Sequence, residues 1–527
     1  MRHLTTACLL FGTALLSVLL PGVATGQVGG GGGTQLTCFV NTANTPTLRA
    51  EGVTEAAGDI VISCTGGQVY TDIGTGGATN PIAPFVNITV SLTSQVTSRL
   101  LNSSAVSEAR LLIDEPNSGL AGPIPNFGPN QAFTACTFPS ATQGGCAGSN
   151  AGSLPRADTY ILTQTGTDTN TYQTAVSGAP TAGNVNTSSV TLGAAPNVYQ
   201  GVVSGNQVTF YGVPVVPPGT SGARVFRITN LRVNANGIGG GSPSGSLPVQ
   251  AAILTSNPSA LPLANPTPIV GFTQASLSTS AATPTLVAAC NSQTLKQAAI
   301  LTYKELFASA FKTRVDPTVP GQRSGQSSAL VQDRPGTIYN SESGFTLAAP
   351  GSAPAGLANF GTRFKAVFRN VPKGARVFVS LTNVTVDPAT GLATGPVANS
   401  SPSFAELVTG ETRPFSVPMP GARTPGTNIE LVEINSSHEN RTATAVWEIV
   451  NTSPTAIDTL HFGVFVSYAK SLLAQGPATV DLGYASTNAV TAEEEDDENP
   501  VVIPRFSAGP TQPVPFLQPC GGREGDR

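Results

Sequence analysis

The chain has 527 residues, a net charge of −4 and only 11% charged residues, against roughly 25% in ordinary soluble domains. So few cations exclude a protein that grips a nucleic-acid backbone. Hydrophobic residues make up 40% of the chain and fall in short runs, which excludes simple disorder; the length suggests roughly two to four domains.

Residues 1–26 read as a secretory signal peptide. Arg2 supplies a positive start, Leu9 to Leu20 an apolar stretch too short to span a bilayer, and Pro21 and Gly22 a break. Ala24 and Gly26 are the small residues of a cleavage site, so the mature chain is expected to begin at Gln27 with a net charge of −5 once Arg2 is lost. Cys8 precedes the apolar run and Cys38 follows Thr37, which argues against lipidation. The expected location is secreted and extracellular, free or held at the cell surface, with no transmembrane segment in the mature chain.

Residues 27–33 form a Gly-rich leader. From Thr34 a first β-region runs to 280. GDIVISC (58–64) and FVNITVSLTSQV (85–96) are strand-like, with Val86, Ile88, Val90 and Leu92 alternating with polar partners. ARLLIDEP (109–116) is a further strand stopped by Pro116, and about 117–190 reads as a loop-rich insertion. VYQGVV (198–203) and QVTFYGV (207–213) flank Ser204-Gly205-Asn206, a three-residue hairpin connection. A second β-region covers 281–490. Within it LTYKELFASAFKTR (301–314) carries Tyr303, Leu306, Phe307, Ala310 and Phe311 at helical spacing and predicts one short helix. Residues 491–527 form a tail with the acidic run EEEDDE (493–498).

An internal repeat organises these elements. GARVFRITNLRV (222–233) matches GARVFVSLTNVTV (374–386) after one inserted residue, and each follows an apolar strand and a Pro turn. Downstream, AILTSNPSA and IVGFTQASL correspond to AVWEIVNTSPTA and HFGVFVSYAKSL, with a longer insertion at about 387–430 in the second copy. Alternation slips by one residue at Asn230 and Asn383, which suggests β-bulges. The expected fold is all-β: tandem antiparallel β-sandwich (Ig-like) domains with long loops.

Six cysteines remain after Cys8 departs, an even number that reads as three disulfides. Joining neighbours gives Cys38 with Cys64, Cys136 with Cys146, and Cys290 with Cys520, the last tying the tail back. No tight cysteine pair suits zinc. Calcium is the one cofactor that an acidic run such as 493–498 could hold loosely. The acidic run neither spaces its ligands nor turns with Gly, so none is expected.

The blocks PTLRAEGVTEAAGDIVISCTGG (46–67), GARVFRITNLRVNA (222–235), ELFASAFKTR (305–314) and TAVWEIVNTSPTAIDTLHFGVFVSY (444–468) resemble uncharacterised secreted bacterial tandem β-sandwich proteins of unknown function. The resemblance implies an exported β-protein and brings no chemistry with it.

No nucleophile elbow or zinc-binding helix motif is present. His438 lies in a polar turn and His461 opens an apolar strand. Glu51, Glu55, Asp59, Asp114, Glu115, Glu406, Glu411, Glu433 and Glu448 are available as carboxylates, and sequence alone does not pair them. Glu448 points away from Trp447 on an alternating strand and is expected on a solvated face. No catalytic or cofactor-binding residue is assigned and no enzymatic activity is expected. The leading reading is a secreted structural or adhesive surface protein that self-assembles into a fibre or layer, partnered by itself. The alternatives are a module binding polysaccharide or another cell-surface partner, and a carboxylate-dependent hydrolase.

Overall fold

The computed structural model describes residues 35–67, 84–101, 106–114, 198–215, 217–239, 245–283, 287–314, 341–345, 356–413, 416–434, 441–472, 476–487, 502–508 and 512–520, and the backbone of short strands between 135 and 194. The signal, the leader and the acidic run lie outside the described residues.

The first region contains β1 (Thr37–Thr42), β2 (Thr47–Arg49), β3 (Ile60–Gly66), β4 (Phe85–Leu92), β5 (Val106–Ile113), β6 (Val198–Ser204), β7 (Gln207–Pro214), β8 (Gly219–Thr229), β9 (Leu247–Thr255), β10 (Leu263–Ala264) and β11 (Ile269–Gln274). They pair in the order β10-β1-β3-β8-β5-β6-β7-β4-β9-β11-β2. One apolar core gathers both limbs of this sheet: Ile60, Ile62, Phe226 and Ile228 from one, Ile88, Val90, Val208 and Phe210 from the other. In β4, Val86, Ile88, Val90 and Leu92 are buried and alternate with half-buried neighbours, as a half-solvated strand requires. The β6–β7 turn is tighter than the sequence suggests. Ser204 pairs directly with Gln207, leaving Gly205 and Asn206 as a two-residue loop in which Gly205 takes φ 61°. Residues 160–165 and 168–175 pair as antiparallel strands within the stretch expected to be loops, where Thr residues alternate with larger side chains.

The second region contains β12 (Leu277–Ala282), β13 (Val287–Ala289), β14 (Gln293–Glu305), β15 (Arg363–Arg369), β16 (Arg376–Ser380), β17 (Phe404–Val408), β18 (Ala422–Arg423), β19 (Glu430–Ile434), β20 (Ala443–Asn451), β21 (Thr459–Tyr468), β22 (Ala478–Ala485) and β23 (Val514–Pro519). Two sheets, β12-β14-β21-β16-β19-β18 and β13-β23-β22-β15-β20-β17, enclose a second core. Trp447 stacks on Phe462 with ring centroids 4.3 Å apart and donates its indole N–H to the Ser380 carbonyl at 2.9 Å. The architecture is all-β, with sheets packed as sandwiches. Only Ser276 and its preceding neighbour separate β11, which packs on the first core, from β12, which pairs with β14.

The helix expected over 301–314 is absent. Residues through Glu305 belong to β14, where Leu301, Tyr303 and Glu305 are buried and Lys304 is exposed, a period of two. Pairing with β12 on one side and β21 on the other outweighs the helical spacing. Past Glu305 the chain turns, Leu306 faces solvent, and Phe311 inserts against Phe364 at 4.7 Å.

The strand preceding each GARVF block and the block strand itself are not ladder neighbours. β7 and β8 are separated by β5 and β6, and β15 and β16 lie in different sheets. The repeated Asn residues do the same work in both copies. Asn230, at φ 57°, accepts the Phe345 N–H at 2.9 Å and donates to the Phe345 carbonyl at 2.7 Å. Asn383 accepts the Ala405 N–H and donates to the Ser403 carbonyl, both at 3.1 Å. Each amide stands in for a peptide group in a ladder. Gly344 and Gly356 are needed beside Asn230, because a Cβ at either would lie 2.2 and 2.8 Å from its side-chain amide.

Trp447 is the only tryptophan of the chain and lies in the second core, so its emission reports that core alone. Trp447→Ala is expected to cost about 3–5 kcal/mol, read as a lower urea midpoint by circular dichroism. An unchanged midpoint would place the indole outside the load of that core.

Candidate functional site: a buried ionic junction

The largest fully buried side chains after Trp447 are arginines: Arg49, Arg110, Arg224, Arg227, Arg232 and Arg363. In a chain this poor in charge, such burial marks the place where its charged residues are spent. All but Arg363 come from the first region. Arg224, Arg227 and Arg232 belong to the GARVF block, and Arg49, Glu55 and Asp59 to the first resembling block.

Arg49, at the end of β2, is the node. Its guanidinium donates to Glu55 Oε1 at 2.6 and 2.8 Å, to both Glu342 oxygens at 2.9 and 3.0 Å, to Thr362 Oγ1 at 2.9 Å and to the Ala310 carbonyl at 3.1 Å. It lies 4.7 Å over the ring of Phe506, which stacks on Tyr484. Lys312 Nζ lies 3.8 Å from Glu55 Oε2. Burial pushes the Glu55 carboxyl up, but Arg49 and Lys312 overcome it and hold the group below its ordinary value. Burial likewise pulls Arg49 down, and Glu342 and Glu55 reverse the shift. For Lys312 burial prevails, aided by Arg49, and the ammonium stays below its usual range.

A second node sits beside the first. Arg232 donates to Glu108 Oε1 and to the Glu342 carbonyl, both at 2.8 Å, while Glu108 Oε2 accepts the Gly356 N–H at 2.8 Å. Arg227 pairs with Asp59 at 2.5 Å, and Arg224 pairs with Asp114. Burial leads in raising the Asp114 carboxyl, against the pull of Arg224. Arg110 is buried and brought down to about 10 by burial, with Nε and one Nη lacking an acceptor. The short passage between the cores is held too: Ser276 donates to Glu51 at 2.6 Å and pairs with the Tyr484 hydroxyl at 2.9 Å.

The structure distributes the candidate acids among separate partners. Glu55 and Asp59 belong to the junction, Asp114 pairs with Arg224 within the first region, Glu51 holds Ser276, Glu411 pairs with Lys365 and Glu433 with Arg376. Glu448 is not solvated. It is buried opposite Glu406 in the ladder, and its oxygens accept from Arg363 Nη2 at 2.8 Å and the Gly361 N–H at 3.0 Å. The far side of that strand is covered, because Arg363 is itself roofed by the 410–413 carbonyls and the Phe360 ring. His461 is half-buried, bonded through Nδ1 to Thr302 at 3.0 Å, and its pKa is lowered by burial. Glu115 and His438 lie outside the described residues. Among the described residues no group of three or more His, Cys, Asp or Glu is placed to hold a metal ion. Trp447 is fully buried, so it offers no platform to a sugar.

Disulfides join Cys38 to Cys64, directly opposite each other on β1 and β3, and Cys290 to Cys520, just past β13 and β23. The side chains of Cys136 and Cys146 lie outside the described residues. The buried arginines are only faintly marked in the sequence, as single charges inside otherwise apolar segments such as GARVFRITNLRV.

No family model matches the chain, and no curated protein matches it. Among solved structures it aligns with the C-terminal domain of the Streptococcus pyogenes antigen I/II-family protein AspA at 8% identity, over 86% of this chain and 95% of that one, with a TM-score of 0.24. A partial N-terminal region of an enterococcal surface protein aligns at 10% identity over 92% of this chain and 94% of that one, TM-score 0.15. The BSP domain of a biofilm-associated protein aligns at 7% identity over 92% and 59%, TM-score 0.11. Scores at this level carry no inference from those proteins to this chain.

Removing one partner of a buried ion pair strands the other. Arg49→Met is expected to cost about 3–5 kcal/mol, seen as a lower urea midpoint; a change under about 1 kcal/mol would show the node to be replaceable by packing alone.

Glu305 gives a pH signature. Its buried carboxylate accepts the Phe311 N–H at 2.6 Å and the Asp458 N–H at 2.8 Å, and burial pushes it up to about 7 from 4.5. The folded state therefore binds this proton more tightly than the unfolded chain. Its contribution is present below about 4.5 and is lost as pH rises to about 7. Glu305→Gln is expected to flatten the fall in melting temperature across that window; an identical fall in the variant would assign the effect elsewhere.

Proposed function

We propose that the protein is a secreted structural or adhesive component working outside the cell or at its surface, and that copies associate edge to edge. The observation that carries the extracellular part is the pair of disulfides closing the terminal strands β1 and β23, since such bonds persist in oxidising compartments. Support for association comes from β12. It pairs with β14 on one side and ends its sheet on the other, its sequence LSTSAA holds neither charge nor proline, and four of its six residues are exposed. Natural edge strands are usually protected by Lys, Pro or a bulge, and one without them is a template for another chain's strand.

Surface labelling of intact cells and negative-stain microscopy of the purified protein test the two parts. Labelled cells, with filaments or sheets that Ser280→Lys abolishes, are the expected result. Retention inside the cell with free thiols overturns the first part, and uniform single particles of the wild type at high concentration overturn the second.

A further inference from the structure

The two disulfides divide the covalent chain unequally. Cys38–Cys64 closes a separation of 26 residues and Cys290–Cys520 one of 230. A pull applied at the two ends enters at Cys38, crosses to Cys64, follows the chain to Cys290, crosses to Cys520 and leaves. β14 to β23, and with them nearly all of the second core, lie inside the closed loop and off this path.

Each clip also hands the load inward. β1 would peel from the Thr37↔Thr65 end, and the bond at the next register pair, Cys38↔Cys64, stops it there. Load then reaches β3, held on one side by β1 and on the other by β8. At the other end β23 is clipped beside β13, and Cys290 leads within three residues into β14, the longest strand, flanked by β12 and β21.

We infer that tension between the two ends of this protein unfolds the first sandwich and peels at most the short strands β12 and β13 from the second, whose remainder keeps its fold and presents its surface under load. Of the buried apolar residues of the second core, all but Val287 and Ala289 lie inside the closed loop, so extending the chain as far as Cys290 strips only the short strands β12 and β13 from its two sheets. That loss exposes Glu342 and Lys312, which water solvates, and uncovers two rings, Phe345, packed on Leu112 and Val198, and Phe506, beneath Arg49. The role rests on the extracellular reading above, because a load needs attachments outside the cell. The mechanics do not, so a failed extension experiment leaves that reading standing and a failed localisation leaves the mechanics standing.

The experiment is optical trapping of the full oxidised chain with a handle at each end. The chain between Cys64 and Cys290 extends to about 80 nm at roughly 3.5 Å per residue. The expected release is no more than that. The Cys290→Ser/Cys520→Ser variant is expected to release about 80 nm more. If that variant does not fold, a phosphine reductant flowed over an oxidised tether already held with its first sandwich extended serves instead. It should add the same length in discrete steps, because a folded sandwich gives way cooperatively. An oxidised chain releasing about 160 nm overturns the proposal, and so does smooth lengthening on reduction, which would mean the second sandwich had already lost its structure.

Discussion

The guanidinium of Arg49 is the point on which the two cores agree. An ion of this size moved from water to a protein interior loses several kcal/mol of solvation even after relaxation. It is tolerated only where its donors find acceptors. Here Arg49 receives Glu55 from its own region and Glu342, Thr362 and the Ala310 carbonyl from the other, with an aromatic ring beneath it. A greasy junction of the same size would slide with little change in energy. One built of bidentate pairs has a single register, because any displacement strands a charge.

The two similar blocks differ at the positions that face the junction. In the second copy, Val379 stands where Arg227 stands in the first, and Ser380 is buried under the Trp447 indole. The face that carries Arg227 in the first block carries Val379 in the second, whereas Arg224 has a counterpart in Arg376. The Asn clamp survived in both. In the first copy its ladder partner is Phe345, reached from the second region, and in the second copy it is a segment close in sequence.

How much of this was legible follows from which forces are local. Alternation in β4 and the strand character of each GARVF block are properties of short segments, and both are legible in the sequence. The 301–314 segment misled because Tyr303, Phe307 and Phe311 fit a helical stripe equally well, and only the neighbouring strands β12 and β21 decide between periods. Glu448 was placed on the correct face of its strand, but whether that face meets water depends on Arg363 and the 410–413 carbonyls, which sequence does not bring near. The junction was invisible for the same reason. Arg49 and Glu342 are far apart in sequence, and a charged residue read singly looks like surface.

An ionic rather than apolar junction has a consequence for a chain that emerges N-terminus first. The first sandwich is complete by Gln274, before any residue of the second core exists to cover it. The face left waiting carries Arg49, Glu108, Arg227 and Arg232, which water hydrates well, around a small apolar spot at Leu112 and Val198, where a wholly hydrophobic face would attract other unfinished chains. The cost of desolvating those charges is deferred until the matching carboxylate and carbonyls arrive, so the arrangement that fixes the finished register also keeps the half-made protein soluble.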